Sequence, residues 1–232
     1  MNAMYRDRRD AGRILAEMLR PLATRGGLTV LGLPRGGVPV AYEVAMSLSA
    51  PLDVFVVRKL GVPGHEELAM GAIATGGIRV LNSDVIRQLR VSSDAVERVT
   101  RDEERELTRR ELAYRGGRGA AEVRGKTVII VDDGLATGAT MAAAVAALRK
   151  LGPDAIIVAV PYGSQDTCAA MRTKADACVC ARSPRDFYGV GEGYTDFGQT
   201  TDAEVRALLE QAAERFDGAV PEETGATSPA LP

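Results

Sequence analysis

Apolar residues at Ile14, Leu15, Met18, Leu19 and Leu22 recur at helical spacing and predict a helix over residues 6–22. "RGG" (25–27) breaks that pattern, and "LTVLGL" (28–33) reads as a buried strand. The chain then passes through "PRGGVP" into "VAYEVAMSL", a second helix with Pro39 suited to its first turn. "LDVFVVRKL" (52–60) reads as one strand, apolar until its exit. Residues 61–82 carry five glycines, and "MGAIAT" and "IRVLN" flank Gly76 and Gly77 as a hairpin would. Residues 83–115 are mainly helical. Asp94 and Glu97 resemble a capping pair, and Glu97/Arg101 and Glu106/Arg110 are spaced as i,i+4 pairs on a solvated face.

"RGGRGAAEVRG" is a loop. After it, strand and helix alternate: "KTVIIVDDG", "ATMAAAVAALRKLG", "DAIIVAVPYG", "SQDTCAAMRTKA", "DACVCAR". Continuously apolar strands in a β-α-β-α order predict a parallel sheet covered on both faces. An irregular stretch, "SPRDFYGVGEGYTDFGQ", follows Arg182, then a helix at 202–216. The chain reads as a single domain over 1–216 with a disordered tail at 217–232, rich in Pro, Gly and small residues.

Composition narrows the function. A net charge of −2 offers no field for nucleic acid, and aromatic residues make up only 4%, with no Trp. No apolar run approaches a membrane span. The charged N-terminus lacks the apolar core of a signal peptide, so the expected location is cytoplasmic. Cys168, Cys178 and Cys180 have no metal-ligand spacing and read as small apolar residues in a reducing compartment.

The chemistry concentrates in "VIIVDDGLATGAT" (128–140). In parallel sheets ligands bind beyond the carboxyl ends of the strands, where Asp132 and Asp133 stand. Ala136, Thr137, Gly138, Ala139 and Thr140 then supply a tight turn, two hydroxyls and backbone N–H groups, an anion cradle suited to phosphate. The carboxylates would repel that phosphate, so they address another part of the ligand: paired hydroxyls, as on a ribose, or a hydrated Mg²⁺. A ribose 5-phosphate fits both halves. The bland alternative is that the two aspartates cap the turn.

These thirteen residues resemble the signature of the type I phosphoribosyltransferases, enzymes that use phosphoribosyl pyrophosphate (PRPP). The order of elements over roughly 28–200 is similar to that family too, above all to its bacterial group of predicted phosphoribosyltransferases. The resemblance implies an α/β fold with a Rossmann-like parallel sheet flanked by helices, a flexible loop at about 61–82, and a small C-terminal hood at about 183–200. It places Asp132 and Asp133 on the ribose hydroxyls and residues 136–140 around the 5-phosphate. Arg35, Gly36 and Gly37 match the pyrophosphate loop by position, and their N–H groups and cation suit that role. Arg58 and Lys59, at a strand exit, are candidates for the leaving pyrophosphate. Two positions depart from the family. Ala136 stands where the hypoxanthine-guanine enzymes carry a base-contacting aspartate, and Gly134 where an aliphatic residue is usual.

The implied activity is transfer of the phosphoribosyl group to an unidentified small-molecule acceptor, with Mg²⁺ held mainly by PRPP rather than by a side-chain cluster. A homodimer is compatible with this; nucleic acid and membrane partners are not expected. Phe187, Tyr188, Tyr194 and Phe197 either stack on a planar nucleophile or pin the C-terminal segment, and Asp196 could accept from a base N–H. His65 reads as solvated, with Glu66 and Glu67 as helpers for metal or nucleophile. The rival readings are a PRPP or nucleotide sensor without turnover, and a hydrolase of a ribosyl phosphate.

Overall fold

The computed structural model describes residues 4–22 and 27–217. The helix break at 25–26 and all of the predicted disordered tail beyond Asp217 lie outside the described residues. Elements follow in the order α1 (Arg8–Leu19), β1 (Leu28–Gly32), α2 (Gly37–Leu48), β2 (Leu52–Val54), β3 (Val57–Val62), β4 (His65–Ala74), β5 (Ile78–Leu81), α3 (Ser83–Gln88) and α4 (Ser93–Arg115). Then come β6 (Thr127–Val131), α5 (Ala139–Leu151), β7 (Ala155–Tyr162), α6 (Gln165–Met171), β8 (Ala177–Arg182) and α7 (Asp202–Asp217).

Five strands form a parallel sheet in the order β2-β1-β6-β7-β8. Successive rows of the sheet face opposite ways. Val30, Ile129 and Ile157 stand in register and enter a core with Leu15 and Leu19 of α1, Val44 of α2 and Leu208 of α7. The next row, Leu31, Ile130 and Val158, enters the core beneath Met141 and Leu148 of α5 and Met171 of α6. Both faces are covered, which is why these strands show apolar runs and no alternation. Among the described residues no helix is long and apolar enough to cross a membrane.

The expected single strand 52–60 is two strands in two sheets. β2 ends at Val54, and β3 pairs antiparallel with β4 in a separate three-stranded sheet, β3-β4-β5. Phe55 still donates to the Gly32 carbonyl (3.0 Å), while Val56 donates to the Thr75 hydroxyl (2.9 Å). The change of sheet falls inside one apolar run, so residue type gives no sign of it. The glycine-rich 61–82 segment is likewise built as β4 and β5 rather than an irregular loop, and the hairpin at Gly76–Gly77 is as expected. Only its outer end, residues 63–69, is continuously exposed.

The cap of α4 is Ser92, whose hydroxyl accepts from Ala95 N–H (3.2 Å), not Asp94 with Glu97. Glu97 pairs across to Arg79 of β5 (2.7 Å), whereas Glu106 does hold Arg110 (2.8 Å) as its spacing suggests.

The cysteine reading needs correction. Cys168 of α6 and Cys180 of β8 form a disulfide, and Cys178 is the free thiol, its Sγ 3.8 Å from that of Cys180. An odd count does not forbid one bond; the fold brings two Cα atoms twelve residues apart to 6.5 Å. Loop-closure entropy assigns such a bond about 3 kcal/mol. Reductant should therefore lower the melting temperature of the wild type and leave Cys168→Ser unaffected. Equal melting of the wild type with and without reductant would show that the bond does not form.

Candidate active site

The acid pair lies where β6 ends, between two turns. Asp133 N–H donates to Oδ1 of Asp132 (2.9 Å), so the first carboxylate is oriented by the backbone of the second. On one side is the turn into α2. A Cβ added to Gly36 would lie 1.9 Å from Oδ2 of Asp133, and one added to Gly37 would lie 2.7 Å from the Val131 carbonyl oxygen. Both glycines are present because the acid pair packs directly against their α carbons. The expectation that they expose N–H groups holds only in part: Gly37 N–H is bonded to the Leu33 carbonyl (3.0 Å), because the turn folds back on its own strand.

On the other side is the turn 134–138 into α5. Gly138 has φ +71°, a left-handed conformation that favours glycine, and a Cβ there would also meet Thr167 Cγ2 at 2.7 Å. Thr167, in the first turn of α6, donates its hydroxyl to the Ala136 carbonyl (2.7 Å) and so supports the turn from below. The first regular bond of α5 runs from Ala142 N–H to the Gly138 carbonyl (2.8 Å), which leaves the orphan N–H groups of a helix start facing the cavity. Thr137 Oγ1 accepts weakly from Ala139 N–H (3.4 Å). The cavity is about 230 Å³ and is lined by residues 132–141 and Val190. Val190 also accounts for Gly134: a Cβ at that position would lie 2.3 Å from its Cγ1.

The hood is made from both chain ends, not from 183–200 alone. Tyr5 N–H donates to the Gly193 carbonyl (2.8 Å), Thr195 N–H to the Tyr5 carbonyl (2.7 Å) and Asp196 N–H to the Arg6 carbonyl (2.8 Å). Tyr194 is buried between Tyr5 and Phe197, and its hydroxyl donates to the main-chain carbonyl of Asp133. Phe187 packs on Tyr162. Most of the ring cluster therefore pins the hood; only Tyr188, 85% exposed, has open faces. Asp196 Oδ1 is occupied by Gly198 N–H (2.9 Å).

From the hood side, Arg8 reaches the acid pair. Its Nε donates to Oδ2 of Asp133 at 2.8 Å. Burial, and the charge of Asp133 beside it, push the Asp132 carboxyl well above the usual carboxylate range. Burial also raises Asp133, against the pull of the Arg8 hydrogen bond and charge.

The predicted cations are dispersed. Arg35 leans toward Asp202 of α7 (3.7 Å), and Arg58 is bound to Glu103 of α4 (2.6 Å). Adjacent strand residues face opposite ways, so Lys59 turns from α4 toward a small cavity of about 110 Å³ shared with Ala139 and Thr140. Arg58 and Lys59 thus do not act from one face here. His65, Glu66 and Glu67 are exposed at the end of the β3–β4 hairpin, as expected of His65, and Glu67 lies 3.8 Å from the Lys59 ammonium. Two further cavities border Asp53, but its carboxylate is taken up by Arg115 (2.9 Å) and the N–H groups of Ala121 and Val54, which makes it a structural ion pair.

The family model for the phosphoribosyl transferase domain matches residues 4–196. The chain belongs to the phosphoribosyl transferase family. Two Mycobacterium tuberculosis proteins, from strains CDC 1551 / Oshkosh and ATCC 25618 / H37Rv, are named as phosphoribosyl transferases and are each 50% identical over 213 residues, 92% of this chain. That alignment covers 48% of each of them, so the chain spans about half the length of the curated relatives it matches. The crystal structure of TT1426 from Thermus thermophilus superposes with a TM-score of 0.81 at 42% identity, covering 90% of this chain and 99% of that one.

Within this phosphoribosyl transferase domain, Arg8, Thr167 and Val190 at the site had no signal in the sequence, whereas Tyr194 belongs to the ring cluster that the sequence offers as a pin for the C-terminal segment. Arg8 is one of five arginines among residues 6–20 and differs from the others only in where its side chain ends. Thr167, Val190 and Tyr194 act on the acid pair or its turn from 27 or more positions away along the chain.

Proposed function

We propose that this site transfers the phosphoribosyl group of PRPP to a nitrogen nucleophile and releases pyrophosphate. The observation that carries the reading is the state of the acid pair. One oxygen of each carboxylate is committed, Oδ1 of Asp132 to Asp133 N–H and Oδ2 of Asp133 to Arg8, and the other oxygen of each has no hydrogen bond among the described residues. Two uncommitted acceptors side by side suit the vicinal hydroxyls of a ribose. The turn 136–140 then receives the 5-phosphate, and Arg35–Gly37 the pyrophosphate. Lys59 approaches from the hairpin, and Arg58 joins it only when its pair with Glu103 opens.

The donor set also fits Mg²⁺. The ion would be held mainly by the oxygens of PRPP; among the described residues no cluster of three or more His, Cys, Asp or Glu side chains could hold it alone. When bound, Mg²⁺ supplies charge neutralisation for the pyrophosphate. The chain's own part is positioning and electrostatics: donors on the 5-phosphate fix the sugar, and the carboxylates face the positive charge that develops at C1′ as the bond to pyrophosphate lengthens. The hood covers the side from which an acceptor attacks with inversion.

PRPP binding should release protons. Both carboxyls are raised, hydroxyl donors favour their ionised forms, and so affinity should rise with pH through the folded-state range of the pair. Calorimetry with PRPP and Mg²⁺ in buffers of different ionisation enthalpy measures the release. Pyrophosphate production from PRPP, tested with nucleobases and simple amines, measures turnover. Absence of PRPP binding by the folded protein overturns the reading, and binding without turnover by any acceptor favours a sensor.

A further inference from the structure

Arg8 is held from three sides. Asp7 caps α1 by accepting from Asp10 N–H (2.8 Å), which fixes the helix start from which Arg8 projects. Nη1 donates to the Gly198 carbonyl (2.6 Å), and the guanidinium lies 4.0 Å over the Phe197 ring. Nε then has Asp133 Oδ2 at 2.8 Å, and the whole side chain is only 13% exposed. A surface ion pair does not need this much support. One planar group bridges the first helix, the hood and the acid pair, and its fork serves a carboxylate and a carbonyl at once.

We propose that Arg8 is a positioning residue of the phosphoribosyl site: by holding Oδ2 of Asp133 it turns Oδ1 toward the ligand, and it makes that aim depend on the seating of the hood. This rests on the PRPP reading above. The groups that face Asp133 are Arg8 from α1, Asp132 beside it, and the phenol of Tyr194 from the hood, while Gly36 brings only backbone. Among the described residues Arg8 is the one cation hydrogen-bonded to Asp133. Without it, Asp133 loses its orientation and also the charge that opposes burial. Its ionisation then needs a higher pH, and so does binding of a ligand that prefers the ionised pair.

The test compares the wild type with Arg8→Met and Arg8→Lys. Each is titrated with PRPP and Mg²⁺, and separately with pyrophosphate and Mg²⁺, from about pH 6 to about pH 9, a span wide enough to follow ionisation of a raised carboxyl. Arg8→Met should bind PRPP about ten- to a hundredfold more weakly at neutral pH, the factor for a lost hydrogen bond to a charged group. The deficit should shrink as pH rises, and pyrophosphate affinity should change little. Arg8→Lys should recover part of the loss, since it keeps the charge but cannot serve Asp133 and Gly198 together. A loss equal at every pH, matched for pyrophosphate and not improved by lysine, would mean that Arg8 only braces the hood, and the inference falls. Should Arg8→Met fail to melt cooperatively, Arg8→Lys decides: wild-type PRPP affinity in that variant overturns the proposal. A wild type that does not bind PRPP overturns the functional reading itself, whereas a binding wild type with a pH-independent Arg8→Met deficit overturns only the role of Arg8.

Discussion

Gly36→Ala should leave a folded protein that has lost nearly all PRPP-dependent activity, whereas Gly37→Ala should lose stability first. The two positions are adjacent and both glycines abut the acid pair, yet what a Cβ would meet differs. At Gly36 it would lie 1.9 Å from Oδ2 and 2.7 Å from Cγ of Asp133, atoms of a side chain that can rotate away. Asp133 would swing out, part from Arg8 and stop presenting its open oxygen. Loss of one preorganised group from a charged site costs about 10²–10³ in rate. At Gly37 the Cβ would lie 2.7 Å from the Val131 carbonyl oxygen and 2.9 Å from the Asp132 Cα. Neither can rotate, so α2 must shift from β6, an overpacking cost of about 1–3 kcal/mol. Thermal melts and PRPP titrations of both variants separate the cases. Equal destabilisation of the two would mean that the acid pair is not what Gly36 accommodates.

Asp132→Asn should abolish PRPP binding while making the protein more stable. The Asp132 carboxyl is raised by burial first and by Asp133 second. A group raised in the folded state costs stability once pH passes its unfolded value, and the cost grows until pH passes its folded value. Asparagine carries no charge to desolvate, and its Oδ1 can still accept from Asp133 N–H. The stability gain should be small in acid and increase toward alkaline pH, and Asp133→Asn should gain less because it gives up the Arg8 ion pair. Melting curves over a pH series, with calorimetric titration of PRPP, give both halves of the result. A variant less stable than wild type across the series would show that the pair is not strained by its own charge.

The thirteen residues from Val128 to Thr140 carry much of this in one dimension. A strand buried on both faces has to be apolar throughout, carboxylates can then follow only at its exposed carboxyl end, and a helix start needs a turn with a glycine at positive φ. Each requirement is local, so residue type and spacing report it. The same holds for the order of strands and helices in the parallel sheet and for the hairpin at Gly76–Gly77.

Other features arise only where distant segments meet. The run 52–60 contains no change of residue type at the point where the chain passes from one sheet to the other, so it reads as one strand where there are two. Arg58 and Lys59 are neighbours in sequence, but strand alternation sends one to Glu103 and the other toward Thr140. Cys168 and Cys180 bond because α6 packs on β8, which no count of cysteines foretells. Gly36 reads as a donor of N–H groups and is also the space that Asp133 needs. Arg8 is one cation in a charged run until the hood folds over it. Residue type and spacing were enough to place two carboxylates, a tight turn and a helix start at the end of β6, because hydrophobic burial and turn geometry act over a few residues. How those groups are oriented and charged belongs to the packed fold, because the Arg8 guanidinium, the space at Gly36 and the Tyr194 phenol reach the acid pair from distant segments, and only packing sets their distances.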